Sequence, residues 1–250
     1  MQVRMSWFVI AAFTALAPLT HAAEFTINPL LVRLDRTSRA SEIVVRNDDR
    51  VPLRMQVQAM NWSQDADGRD QYEPADGLLY FPRAMEIPAG DSRVIRLGVK
   101  AAPVSKEESF RVFVEELPHA TAAGTVASGT SLQVVLRIGV PVFVAPVQVD
   151  RKGEIVRLGL AGSMAEWVVA NTGNVHLRAE RVEMVGLASD GTKLFEELFQ
   201  ERYFLAGVVK TLRFEVPAEK CALLAKLEVA VSGENLDLKR QLDVSPGSCR

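Results

Sequence analysis

The thirteen residues from Leu132 to Val144 constrain this chain more than any other stretch. The even positions are Leu132, Val134, Leu136, Ile138, Val140, Val142 and Val144, all aliphatic. The odd positions are Gln133, Val135, Arg137, Gly139, Pro141 and Phe143. Side chains alternate across a strand, so one face is an unbroken apolar stripe, well beyond the usual length of about five or six residues. Pro141 has no N–H to give to a hydrogen-bond ladder, which favours a sheet edge. A long apolar edge recruits other chains, and the functional use of that property is β-augmentation, in which a partner adds its own strand. A plain core strand is the other reading, and periodicity alone favours it. His119–Thr130, just before the stripe, is rich in Ala, Gly, Thr and Ser. It reads as a flexible loop able to yield to an incoming chain.

Period two also governs the rest of the chain. Glu42–Arg46 is a β-branched run that stops at the turn cluster Asn47-Asp48-Asp49. Leu53–Met60 and Phe110–Leu117 alternate, and Ser92–Val99 follows the turn Ile87–Asp91. In the second half Trp167–Ala170 runs into Asn171-Thr172-Gly173-Asn174, and Val175–Ala179 and Thr211–Val216 read as further strands. Short strands separated by polar turns predict an all-β chain of sandwich domains. With Ala145-Pro146 as the linker, residues 23–146 and 147–250 each have the size of an immunoglobulin-like sandwich. Residues 193–204 fit either one short helix or a pair of strands.

The first 22 residues read as a secretory signal: Arg4, then the apolar run Trp7–Leu19, then small residues at Thr20 and Ala22 around a cleavage site. The run is too short to span a membrane, and no later stretch is long enough to insert. Export permits a disulfide between Cys221 and Cys249, which would tie the tail to its own domain; two free thiols are the alternative. A metal site is not expected from two cysteines without nearby histidines. Net charge is −2 with scattered basic residues, so nucleic acid is not an expected partner. His119 and His176 read as surface or structural residues. No nucleophile elbow, zinc-protease motif or phosphate loop is present, so neither an enzyme nor a cofactor is expected.

Taken in order, several segments resemble the periplasmic pilus-assembly chaperones of the PapD-like family. These are Ile27-Asn28-Pro29 with Val32 and Leu34, Glu42–Asn47, Ile87-Pro88-Ala89-Gly90 with Val94–Leu97, Phe110–Phe113 with Glu115–Pro118, the stripe itself, and Asn171–Asn174. The resemblance implies two immunoglobulin-like sandwiches in an L or boomerang. It implies an edge strand, about 131–144, donated to pilus or fimbrial subunits through Leu132, Val134, Leu136, Ile138 and Val140. It also implies delivery to an outer-membrane usher in the periplasm; whether the free chain caps its own edge as a dimer is left open by the sequence.

One departure stands out. Better-known members hold the subunit's terminal carboxylate with a basic pair, and the matching positions here are Leu31 and Pro141. With Trp62 and the Pro-Val-Phe-Val ending, the chain is more similar to the non-classical branch, archaic or spore coat protein U-type. Arg96, Arg111 and Arg137 become the candidate anchors, since a guanidinium suits a carboxylate. The competing reading is a structural or adhesive immunoglobulin-like surface protein without chaperone activity.

Overall fold

The computed structural model describes residues 24–65, 67–103, 105–117, 134–245 and 247–249. The expected signal segment, the loop 119–130 and Leu132 lie outside them. The first half folds as β1 (Phe25–Asn28), β2 (Val32–Leu34), β3 (Ala40–Asn47), β4 (Leu53–Gln64), β5 (Asp70–Pro74), β6 (Leu78–Phe81), β7 (Ala84–Ile87), β8 (Ser92–Val99), β9 (Glu108–Glu116) and β10 (Arg137–Val144). One sheet has the order β1-β3-β8-β6. The facing sheet runs β2-β10-β9-β4-β5, with β7 also on β4.

Alternation sorts each strand between core and surface. Ile43 and Val45 of β3, Met55 and Val57 of β4, Ile95 and Leu97 of β8, Val112 and Val114 of β9, and Val140, Val142 and Val144 of β10 share one core. Each is worth on the order of 1.5–3 kcal/mol in buried apolar surface.

A second sandwich follows: β11 (Gly153–Ala161), β12 (Met164–Asn171), β13 (Leu177–Arg178), β14 (Arg181–Leu187), β15 (Lys193–Leu198), β16 (Tyr203–Phe204), β17 (Val209–Glu215), α1 (Ala218–Cys221), β18 (Lys226–Gly233) and β19 (Leu236–Asp243). Its sheets are β11-β12-β17, β13-β16 and β15-β14-β18-β19. Residues 193–204 are thus strands rather than a helix: β15 pairs with β14, and β16 with β13. This sandwich has a separate core around Trp167, Met184, Phe204, Leu227 and Val231. Cys221 and Cys249 are disulfide-bonded across a Cα separation of 5.1 Å, joining the tail to α1.

Both sandwiches are anchored by the same device. The Asn47 side-chain amide donates to the carbonyls of Val51, Ile87 and Pro88. Asn171 does the same to Val175, Phe204 and Leu205. Each Oδ1 accepts the N–H two residues on, at Asp49 and Gly173. Both side chains are buried, and these bonds offset the loss of water at a polar group. The two Asn turns therefore pin loops to the core, which is more than surface turns do.

Candidate functional site: the open edge of the stripe

β10 is antiparallel to β9, with Arg137 opposite Glu115 and Val144 opposite Glu108. The Glu116 N–H donates to the Leu136 carbonyl at 2.9 Å. Leu136 and each second residue after it therefore exchange backbone bonds with β9. The odd residues direct N–H and C=O to the opposite edge, where the Ala145 N–H meets the Leu34 carbonyl at 2.8 Å. β2 covers that edge only along Val142–Val144. Beside Arg137, Gly139 and Pro141 no strand among the described residues pairs with it. Pro141 is compatible with this position because its nitrogen points to the open edge and not into the β9 ladder.

The stripe divides at the same place. Val134 is 56% exposed, while Val140 is 1% and Val142 and Val144 are 0% exposed. Leu136 is half-buried, and Ile138 is partly buried against the first core. The Val140 side chain packs within its own sandwich. Val134, Leu136 and the outer part of Ile138 form the free portion, with Val135 41% exposed beside them.

The three candidate arginines do not converge. Arg96 lies on β8 in the other sheet, its side chain 80% exposed and 3.4 Å from Glu42 on the neighbouring strand. Its neighbours Ile95 and Leu97 point into the core, so Arg96 points away from the sheet that holds β10. It is thus apart from Arg111 and Arg137, which lie on the sheet of β10. Arg137 stacks over the Phe113 ring at 4.0 Å and meets Glu115 at 3.3 Å. Arg111 is the most enclosed, with its side chain 17% exposed. Its guanidinium lies 3.9 Å over the Trp62 ring, 3.6 Å from Asp70, and its Nη1 reaches the Gly139 carbonyl at 3.4 Å. Its Nε is buried with no acceptor. Around it, Tyr72 donates to Asp70 at 3.0 Å and packs edge-on against Phe113. Burial, reinforced by the Asp70 carboxylate, pushes the Tyr72 phenol up to about 12 against the opposing pull of Arg111.

The stripe ends at the junction of the two sandwiches. Trp62, Phe143 and Leu205 are buried there together, with Leu31, Tyr203 and Val208 packed around them. The His176 ring stacks on Phe143 at a 3.6 Å centroid distance, 15° from parallel. Its backbone N–H and Nδ1 both meet the Glu107 carboxylate, at 2.9 and 2.8 Å. Gln64 bridges to Tyr203 and Leu205. Leu31 is thus part of an apolar seam. The roles of Trp62, Glu107 and Gln64 in that seam have no sequence signal, because each depends on a partner well over a hundred residues away or across the domain boundary.

Two β-sandwiches, the first with an apolar strand that from Arg137 to Pro141 has no partner on one side among the described residues, are the arrangement compared with known proteins. A family model described as "Pili and flagellar-assembly chaperone, PapD N-terminal domain" matches residues 24–150. That is just over half of the chain, and the chain belongs to this family. A comparison with curated protein sequences finds no match. Among solved structures, a chain of the CsuC–CsuE chaperone–tip adhesion subunit pre-assembly complex, from archaic chaperone-usher Csu pili of Acinetobacter baumannii, superposes with a TM-score of 0.60 at 17% identity. The match covers 88% of this chain and 98% of that one. The YadV chaperone gives 0.58 at 13% identity, covering 88% and 99%. The Salmonella enterica SafA pilin–SafB chaperone complex gives 0.57 at 15% identity, covering 89% and 98%. Identities this low establish the shared fold.

Proposed function

We propose that this chain is a periplasmic chaperone of pilus assembly that captures a subunit on the open edge of β10 and passes it to an outer-membrane usher. The observation that carries this reading is the coincidence at one place of a strand edge with no strand partner among the described residues, from Arg137 to Pro141, with the exposed side chain of Val134 and the half-buried Leu136. Main-chain bonds give an added strand direction and affinity, and alternate side chains fill its missing core positions. Burying Val134 and Leu136 in a subunit contributes on the order of 1.5–3 kcal/mol each. In the absence of a subunit the same edge is suited to pairing with a second copy of the chain.

Arg111 is the residue we assign to the subunit's terminal carboxylate. It is the most enclosed of the three candidates, it touches the open edge, and its Nε has no acceptor. Without a basic residue at positions 31 and 141, the chain is aligned with the archaic branch rather than with the members that use that pair.

The test is to express a pilus subunit in the periplasm with and without this chain. The expected outcome is a soluble 1:1 complex, with the lone subunit degraded or aggregated. A subunit equally stable alone would end the chaperone reading.

A further inference from the structure

Gly139 sits on the outer face of β10, directly opposite Phe113 on β9. A Cβ built on it would lie 2.9 Å from Arg111 Cδ, 3.0 Å from Phe113 Cε1 and 3.1 Å from Arg111 Cγ. The space of a side chain is thus already filled by two residues of the neighbouring strand. Gly139 is not among the residues with positive φ, so backbone freedom is not the reason for glycine here. The reason is close approach, a recognised use of glycine within strands.

Both intruding side chains are held from their far sides. Arg111 is backed by the Trp62 ring at 3.9 Å. Phe113 is held between the Tyr72 ring, 5.2 Å away edge-on, and the Arg137 guanidinium at 4.0 Å. A new methyl group would have to push both side chains against these partners. Lying across the Gly139 backbone, Arg111 brings its Nη1 to 3.4 Å from the Gly139 carbonyl. That carbonyl belongs to an odd residue and so faces the open edge. The guanidinium therefore lies over the sheet between Trp62 and β10, with one nitrogen on a carbonyl that faces the open edge.

We infer that Gly139 is a positioning residue: its missing side chain is what allows Arg111 to lie over the β10 backbone and bring a guanidinium nitrogen to the carbonyl that faces the open edge. The inference rests on the reading that this edge takes a subunit strand held by Arg111. Its consequence is that any larger residue at 139 withdraws Arg111 from the edge while leaving the exposed stripe in place.

The first measurement uses the unaltered chain. Nuclear Overhauser contacts from the Gly139 α-protons to the γ- and δ-protons of Arg111 are expected, and their absence overturns the inference whether or not any subunit binds. The second measurement uses Gly139→Ala, Arg111→Ala and the double variant. The readouts are the indole N–H resonance of Trp62, assigned by its loss in Trp62→Phe, and retention of the subunit that co-purifies with the unaltered chain. Gly139→Ala is expected to move the Trp62 resonance toward its position in Arg111→Ala. It should weaken subunit retention about tenfold, the scale of one charge-assisted hydrogen bond. In the Arg111→Ala background Gly139→Ala should add nothing, as expected of two residues acting as one unit. An unmoved Trp62 resonance, or a further loss in the double variant, overturns the inference. A moved resonance with retention intact in both single variants supports the positioning role and instead removes Arg111 from the capture reading.

Discussion

The two halves of the stripe are alike in sequence and opposite in situation. Val140, Val142 and Val144 are sealed in the first sandwich, whereas Val134 and Leu136 stand at or near solvent with the same alternation. The difference lies in their neighbours. Along Val142–Val144 the strand is flanked by β9 on one side and β2 on the other, and from Pro141 backward only β9 is present among the described residues. A strand paired on both sides and capped by a facing sheet is core. The same strand paired on one side offers a backbone edge and a row of apolar knobs.

That contrast predicts a graded set of effects. Val142→Asp should be the most severe, since it places a charge in a sealed apolar core without a partner. A loss of about 4 kcal/mol or more is expected in urea unfolding, enough to abolish a folded first sandwich. A variant that stays folded would mean that the second half is not core. Val134→Asp should leave the unfolding midpoint within about 0.5 kcal/mol of the parent. It should nonetheless lower subunit retention by about tenfold to a hundredfold, from the lost apolar burial and the charge carried into the interface. Equal destabilisation by both aspartates would erase the division. Arg111→Ala should weaken retention about tenfold with near-normal folding, as read by pull-down at fixed subunit concentration. Arg96→Ala should leave retention unchanged within about twofold, because its exposed ion pair with Glu42 is worth only about 0.2–1 kcal/mol and lies on the other sheet. A large effect of Arg96→Ala would place the subunit on that other face.

Much of the fold is legible in the residues. The alternation of Leu53–Ala59 appears directly as buried and exposed positions, and that of Phe110–Val114 as buried and partly buried ones. Turn residues mark strand ends, and the ordered set of segments along the chain points to its family. The site is legible only in part. Arg96 and Arg111 are both strand arginines flanked by apolar residues, and sequence spacing does not say which sheet each joins. Val140 and Val134 occupy equivalent positions in one pattern. Glu107 and His176 lie 69 positions apart and meet only because the sandwiches pack together.

What the amino-acid sequence determines by itself is local. A period of two commits Leu132–Val144 to a strand with one apolar face, Pro141 excludes a fully paired position for its nitrogen, and two cysteines near the C-terminus permit a bridge. What the tertiary structure decides is which groups are covered. β2, about a hundred residues earlier in the chain, reaches only as far as Val142, so among the described residues the edge is uncovered from Pro141 backward. Trp62 and Gly139 come from different strands, yet together they set where the Arg111 guanidinium lies. Coverage and charge placement depend on contacts between distant segments, and a local pattern carries no record of those distances.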